Sequence, residues 1–137
     1  MRRSAATVRA IDTNIAARLL IHDDPEQARI AREIVSEGVL LPATVLLELS
    51  WMLESRYRLP RREVHLLLTT FIAADTIAVH DRELVEWALA RYGKGAPLAD
   101  LLHVCAAASA TSFVTFDKDV RKHAGSRPPV PIEIVKT

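Results

Sequence analysis

Four acidic residues, Asp12, Glu48, Asp100 and Asp117, are the positions of this chain whose type and spacing point to chemistry. Asp12 ends the short apolar-leaning run Val8-Arg9-Ala10-Ile11, and Asp117 ends a second such run, Ser112-Phe113-Val114-Thr115-Phe116. Glu48 interrupts an apolar segment, and Asp100 follows Pro97 in the first turn of an expected helix. Each has a plain structural reading. An Asp before a helix is first of all a cap, its oxygen accepting from a first-turn N–H, and an acid in the first turn is favoured by the helix dipole. Their recurrence argues for more, because ligands of open α/β sheets bind at the carboxyl ends of the strands. Helices leaving that edge also start on it, so all four acids can converge on one cleft, with Asn14 and Thr115 as neutral polar contacts. Four carboxylates without a base among them repel unless a cation lies between them. An all-oxygen donor set suits Mg²⁺ or Mn²⁺ far better than zinc. Acidic clusters holding such ions carry out phosphodiester cleavage.

The elements that must position these acids follow from periodicity and punctuation. A first strand stops at Asp12, and Thr13 or Asn14 opens a helix. Asp24-Pro25-Glu26 starts a second helix whose Ala28, Ile30, Ala31, Ile34 and Val35 recur at helical spacing until Gly38. Val39-Leu40-Leu41 reads as a buried parallel strand. The segment from Val45 to Leu53 is apolar on most sides and is expected to be buried, which leaves Glu48 little wet surface and turns it into a polar cleft. Pro60 introduces a helix with Val64, Leu67, Leu68, Phe71 and Ile72 on one face, and Thr76-Ile77-Ala78-Val79 is a third strand. His80-Asp81-Arg82-Glu83 caps a helix closed by Gly93 and Gly95, and the next helix runs from Pro97 through the alanines to Ser109. Asp117-Lys118-Asp119 starts a short helix, and Val130 to Val135 alternates as a final edge strand entered through Pro128-Pro129. Trp51 and Trp87 lie on apolar faces and are expected in the core or an interface rather than as base-stacking platforms. The order β-α-α-β-α-α-β-α-α-β-α-β predicts a parallel sheet covered on both faces.

Length and composition bound the function. At 137 residues, half of them apolar and 26% charged, the chain is expected to be one soluble globular domain spanning 1–137. A net charge of +1 gives no global sign of nucleic-acid binding, although it does not report a local patch. Arg56, Arg58, Arg61, Arg62, Arg91 and Lys94 read as surface charges, and a phosphate-facing patch among them has no position in sequence. The single cysteine, Cys105, excludes an internal disulfide and reads as an inert core thiol. Arg2 and Arg3 read as a solvated terminus rather than a binding arm. No apolar stretch has the length of a membrane span or a signal, so no membrane and a cytoplasmic location are expected. No phosphate-binding glycine loop is present, and the dispersed acids do not match a phosphoryl-accepting receiver domain.

Taken together, Ile11-Asp12-Thr13-Asn14, Leu47-Glu48-Leu49-Ser50-Trp51-Met52-Leu53, Leu98-Ala99-Asp100-Leu101-Leu102-His103 and Val114-Thr115-Phe116-Asp117-Lys118-Asp119 give the chain a close resemblance to PIN-domain ribonucleases. Within that family it most resembles the VapC-type toxins of bacterial toxin–antitoxin pairs. The motifs are weak singly, but they come in the family's order and span nearly the whole chain. The resemblance implies a three-layer α/β/α sandwich with a short, mostly parallel central sheet. It also implies an acidic Mg²⁺ or Mn²⁺ site, cleavage of RNA, inhibition by a small cognate antitoxin and a homodimer. Asp12, Glu48, Asp100 and Asp117 match the family's acidic quartet, Thr13, Asn14 and Thr115 its polar supports, and Asp119 its occasional extra acid. Pro97 stands where many relatives carry another Asp, which bears on a second metal and not on the quartet. The competing expectation is a non-catalytic PIN-like module that binds RNA or protein, and the intact quartet speaks against it. His103 has no assigned role.

Overall fold

The structure, a computed structural model, describes residues 8–137. Arg2 and Arg3 therefore lie outside the described residues. The chain divides into two compact units, one running to His80 and one from Asp81 to Thr137.

In the first unit β1 (Arg9–Ala10) is followed by α1 (Thr13–Leu20), α2 (Pro25–Ser36), β2 (Val39–Leu40), α3 (Ala43–Trp51), a π-helical segment (Met52–Arg56), α4 (Arg61–Ala73) and β3 (Ile77–Ala78). The strands pair in parallel in the order β1-β2-β3, with Arg9 opposite Val39 and Val39 opposite Ile77. Helical crossovers join them, as parallel pairing requires. Val39, Leu41 and Ile77 are buried with Leu46, Leu49, Leu53, Val64 and Leu68. Each fully buried aliphatic side chain contributes about 1.5–3 kcal/mol relative to exposure. The start of α2 follows its sequence closely: Pro25 occupies the first turn, and Asp24 accepts from the Gln27 N–H at 3.0 Å. Its stop is Gly38, at φ 88°, whose N–H donates to the Val35 carbonyl.

The second unit contains α5 (Arg82–Gly93), α6 (Leu98–Ala106), β4 (Phe113–Thr115), α7 (Lys118–Ala124) and β5 (Ile132–Ile134). Its two strands pair in parallel, Phe113 opposite Ile132 and Thr115 opposite Ile134. Val104, Val120 and Val130 form its core cluster, with Trp87, Phe113 and Ile132 packed against them. Cys105 is a half-buried thiol donating to the Leu84 carbonyl, and burial pushes its pKa up to about 11, so it is an inert thiol.

The element order and the α/β class are those expected from the sequence, and hydrogen bonding groups the strands as one ladder in each unit. Five local expectations differ. Trp51 is 54% exposed rather than buried. Thr44, Glu48 and Trp51, spaced four and three residues apart, form an exposed stripe on α3, so this helix has a wet side despite its apolar composition. Ile30 is exposed, because Ala28, Ala31 and Val35 alone make the buried face of α2. Helix α6 ends at Ala106 rather than Ser109, since Ala108 and Ala110 donate to carbonyls only three residues back, tightening the chain out of the α-helix. At the start of α5, Asp81 precedes the helix in the left-handed region, φ 51°, without a side-chain cap bond.

Candidate active site

In the first unit the site is built outward from the end of β1. Ile11 N–H donates to the Leu40 carbonyl at 3.1 Å, extending the ladder past the strand and delivering Asp12 to the carboxyl edge of the sheet. There Asp12 caps α1: its Oδ1 accepts from the Ile15 N–H at 3.0 Å, and its carbonyl accepts from Ala16. The capping role is real, and it engages Oδ1 while Oδ2 is not part of the cap. Thr13, the first residue of α1, is buried, and its Oγ1 donates to Glu48 Oε1 on α3. That bond joins residues 35 positions apart and holds Glu48 beside the cap of α1.

Asp12, Thr13, Asn14 and Glu48 line one open cavity of about 400 Å³, and Trp51, Met52, Ser55 and Arg56 complete its wall. The exposed stripe of α3 is thus the wall of a cleft, and Glu48 stands both on the wet side of its helix and in a polar site. Reasoning from sequence assigned Trp51 to the core or an interface and left Arg56 among surface charges without a position, so neither was read as part of the site. The available signal was the three-residue spacing of Glu48 and Trp51, which places them on one helix face. Arg56 closes the π-helical segment, in which Tyr57 N–H donates to the Met52 carbonyl at 3.2 Å and Ser55 Oγ to the Trp51 carbonyl at 2.6 Å. Two residues beyond it Arg58 takes a φ of 56°, and Leu59 N–H reaches the Leu53 carbonyl at 3.0 Å. Single π-helical turns occur frequently at functional sites. A second cavity of about 560 Å³ also touches Asp12 and Asn14, but its Arg18 is engaged by Asp23 at 2.8 Å and Gln27 at 2.7 Å.

In the second unit Asp117 is the N-cap of α7, its Oδ1 accepting from the Asp119 N–H at 2.9 Å. Its own N–H donates to Thr115 Oγ1 at 3.0 Å, so Thr115 supports this acid as expected. Asp119 is exposed in the first turn of the helix. Asp100 sits half-buried in the first turn of α6, and His103 is exposed one turn on. Among the described residues, neither unit by itself gathers three His, Cys, Asp or Glu side chains into a cluster able to hold a metal ion. The donor chemistry nevertheless fits a hard cation: Asp12 and Glu48 present carboxylates from two elements to one solvent-open cavity, which no cysteine or histidine lines.

The sequence model of the PIN domain family matches residues 10–126. The match contains Asp12, Glu48, Asp100 and Asp117 and extends from the first unit into the second. The mixed α/β fold with short parallel sheets agrees with the α/β/α PIN fold. No curated protein matches the chain. Among the described residues, no helix is long and apolar enough to cross a membrane.

Proposed function

The chain belongs to the PIN domain family, whose members are generally nucleases that use divalent metals, and from that premise we propose that it is a Mg²⁺- or Mn²⁺-dependent endoribonuclease, the VapC-type toxin of a type II toxin–antitoxin pair. The observation that carries the reading is the meeting of Asp12 and Glu48 in one cavity, with Thr13 bonded to Glu48 between them. Asp12 and Glu48 would hold the ion in the first unit. Asp100 and Asp117, which match the remaining acids of the family's quartet, are proposed to act with them, with Asp119 as an additional acid. When bound, such an ion polarises a phosphodiester and lowers the pKa of an attacking water.

The chain's own residues have separate tasks. The cap bond at Asp12 Oδ1 and the Thr13 bond at Glu48 Oε1 fix both carboxylates, so that neither has to be ordered when the ion arrives. Thr115 fixes the backbone at Asp117. Asn14 and Arg56 offer the cleft a neutral and a cationic contact for phosphate oxygens. As part of the same proposal, the partners are RNA, a small cognate antitoxin and a second copy of the chain. A basic side chain of the antitoxin entering the cleft would offset the carboxylates as a cation does.

The test is cleavage of single-stranded RNA by the purified protein in Mn²⁺ or Mg²⁺, arrested by EDTA. Glu48→Gln should lower cleavage by orders of magnitude while RNA affinity without metal stays equal or improves, since one repelling charge is gone. Binding indifferent to Ca²⁺, together with no cleavage by the parent, would reject the nuclease and leave a binding module. In cells, the parent expressed alone should arrest growth and Asp12→Asn should not; equal growth would reject the toxin.

A further inference from the structure

The second unit carries a groove of about 840 Å³ that none of the four acids lines. Phe116, Lys118, Arg121, Lys122 and Lys136 line it, and no Asp or Glu side chain does. The four cations are exposed, and among the described residues none of them forms an ion pair. Arg121 is held in place by donating to the Ile132 carbonyl at 2.9 Å.

Helix stability accounts for only part of this charge. Arg121 and Lys122 lie in the last turn of α7, where cations offset the helix dipole. Lys118 is the first residue of that helix, at the end where a cation is disfavoured, and Lys136 lies beyond β5. Phe116 is 71% exposed directly after β4, an aromatic face with no core to serve. Unpaired cations around an open aromatic face suit a single-stranded nucleic acid, whose phosphates meet the cations while a base stacks on the ring. A duplex keeps its bases stacked on one another and would leave the ring unused.

We propose that this groove binds the single-stranded RNA flanking the scissile bond, with a base on Phe116 and the backbone along Lys118, Arg121, Lys122 and Lys136. The proposal rests on the nuclease reading for the identity of the ligand. Phe116 and Lys118 flank Asp117 in sequence, so the groove begins beside one of the four acids.

The experiment is fluorescence anisotropy of a labelled single-stranded oligoribonucleotide of about ten nucleotides with the full chain in Ca²⁺. Phe116→Ala, a change at an exposed position, should weaken binding about tenfold. Lys122→Glu combined with Lys136→Glu should weaken it at least about tenfold and reduce the slope of log K against log salt by about 0.7 for each phosphate no longer neutralised. Lys94→Glu, outside the groove, should bind as the parent does. Normal binding by both groove variants overturns the proposal. So does inorganic polyphosphate that competes equally while Phe116→Ala is silent, because the groove then reads charge alone. Cleavage by the parent in Mn²⁺ is measured in parallel. A parent that cleaves while groove variants bind normally keeps the nuclease and ends the groove. A parent that binds through the groove without cleaving keeps the groove and ends the nuclease. A parent that neither binds nor cleaves ends both.

Discussion

The two units place the same residue type by different means. In the first, Asp12 and Glu48 meet because α1, which Asp12 caps, packs against α3 and its buried Thr13 bonds across 35 positions. In the second, Asp117 is held entirely by its neighbours, through Thr115 two residues before it and Asp119 two residues after. A site assembled over long range depends on global packing and is lost with it; a capped turn depends on a few dihedrals. The first unit should therefore be the more sensitive to buried substitutions, and the second to backbone conformation.

The largest expected effects break the comparison at its charges. Asp12→Asn and Asp117→Asn should each lower RNA cleavage by orders of magnitude. Without metal, both should be at least as stable as the parent if repulsion outweighs the loss of a charged cap. Thermal melting in EDTA decides it: a variant that unfolds early identifies its acid as a structural cap.

Next in size is the long-range bond. Thr13→Val keeps the shape of the side chain but leaves Glu48 unheld. It should cost about 1 kcal/mol of stability and lower cleavage at saturating metal by about tenfold, because the carboxylate is no longer held in one orientation. Full activity in this variant would mean that Glu48 is positioned without Thr13.

The second unit is probed at Gly125, which ends α7 at φ 79° and ψ −160°, a region open essentially to glycine alone. An added Cβ would also meet the Arg91 guanidinium at 2.6 Å, although that flexible end can move. Gly125→Ala should cost about 1–3 kcal/mol in chemical denaturation; a neutral result would remove the claim that backbone conformation governs this unit.

The smallest effect is a pH dependence. The pKa of Cys105 is raised to about 11 in the fold by burial, against 9.0 for an ordinary thiol. The folded state therefore favours the protonated form. The stability that this provides is whole below pH 9.0 and is lost as pH rises toward about 11. Melting temperatures across that window should fall, and Cys105→Ala should flatten the decline.

The sequence by itself determined the element order, the caps at Asp12, Asp24 and Asp117, and the stop at Gly38. Each of these is settled by a few adjacent residues and their own hydrogen bonds. It also singled out Glu48 as an acid out of place in an apolar helix. Only the tertiary structure decided which face of α3 is covered, and with it that Trp51 is exposed beside Glu48 rather than buried. Periodicity marks a face as apolar, but what packs against that face is set by elements far away in the chain. The same holds for the basic groove: Lys118, Arg121, Lys122 and Lys136 are scattered among a helix and a tail in a chain of net charge +1, and folding gathers them around Phe116.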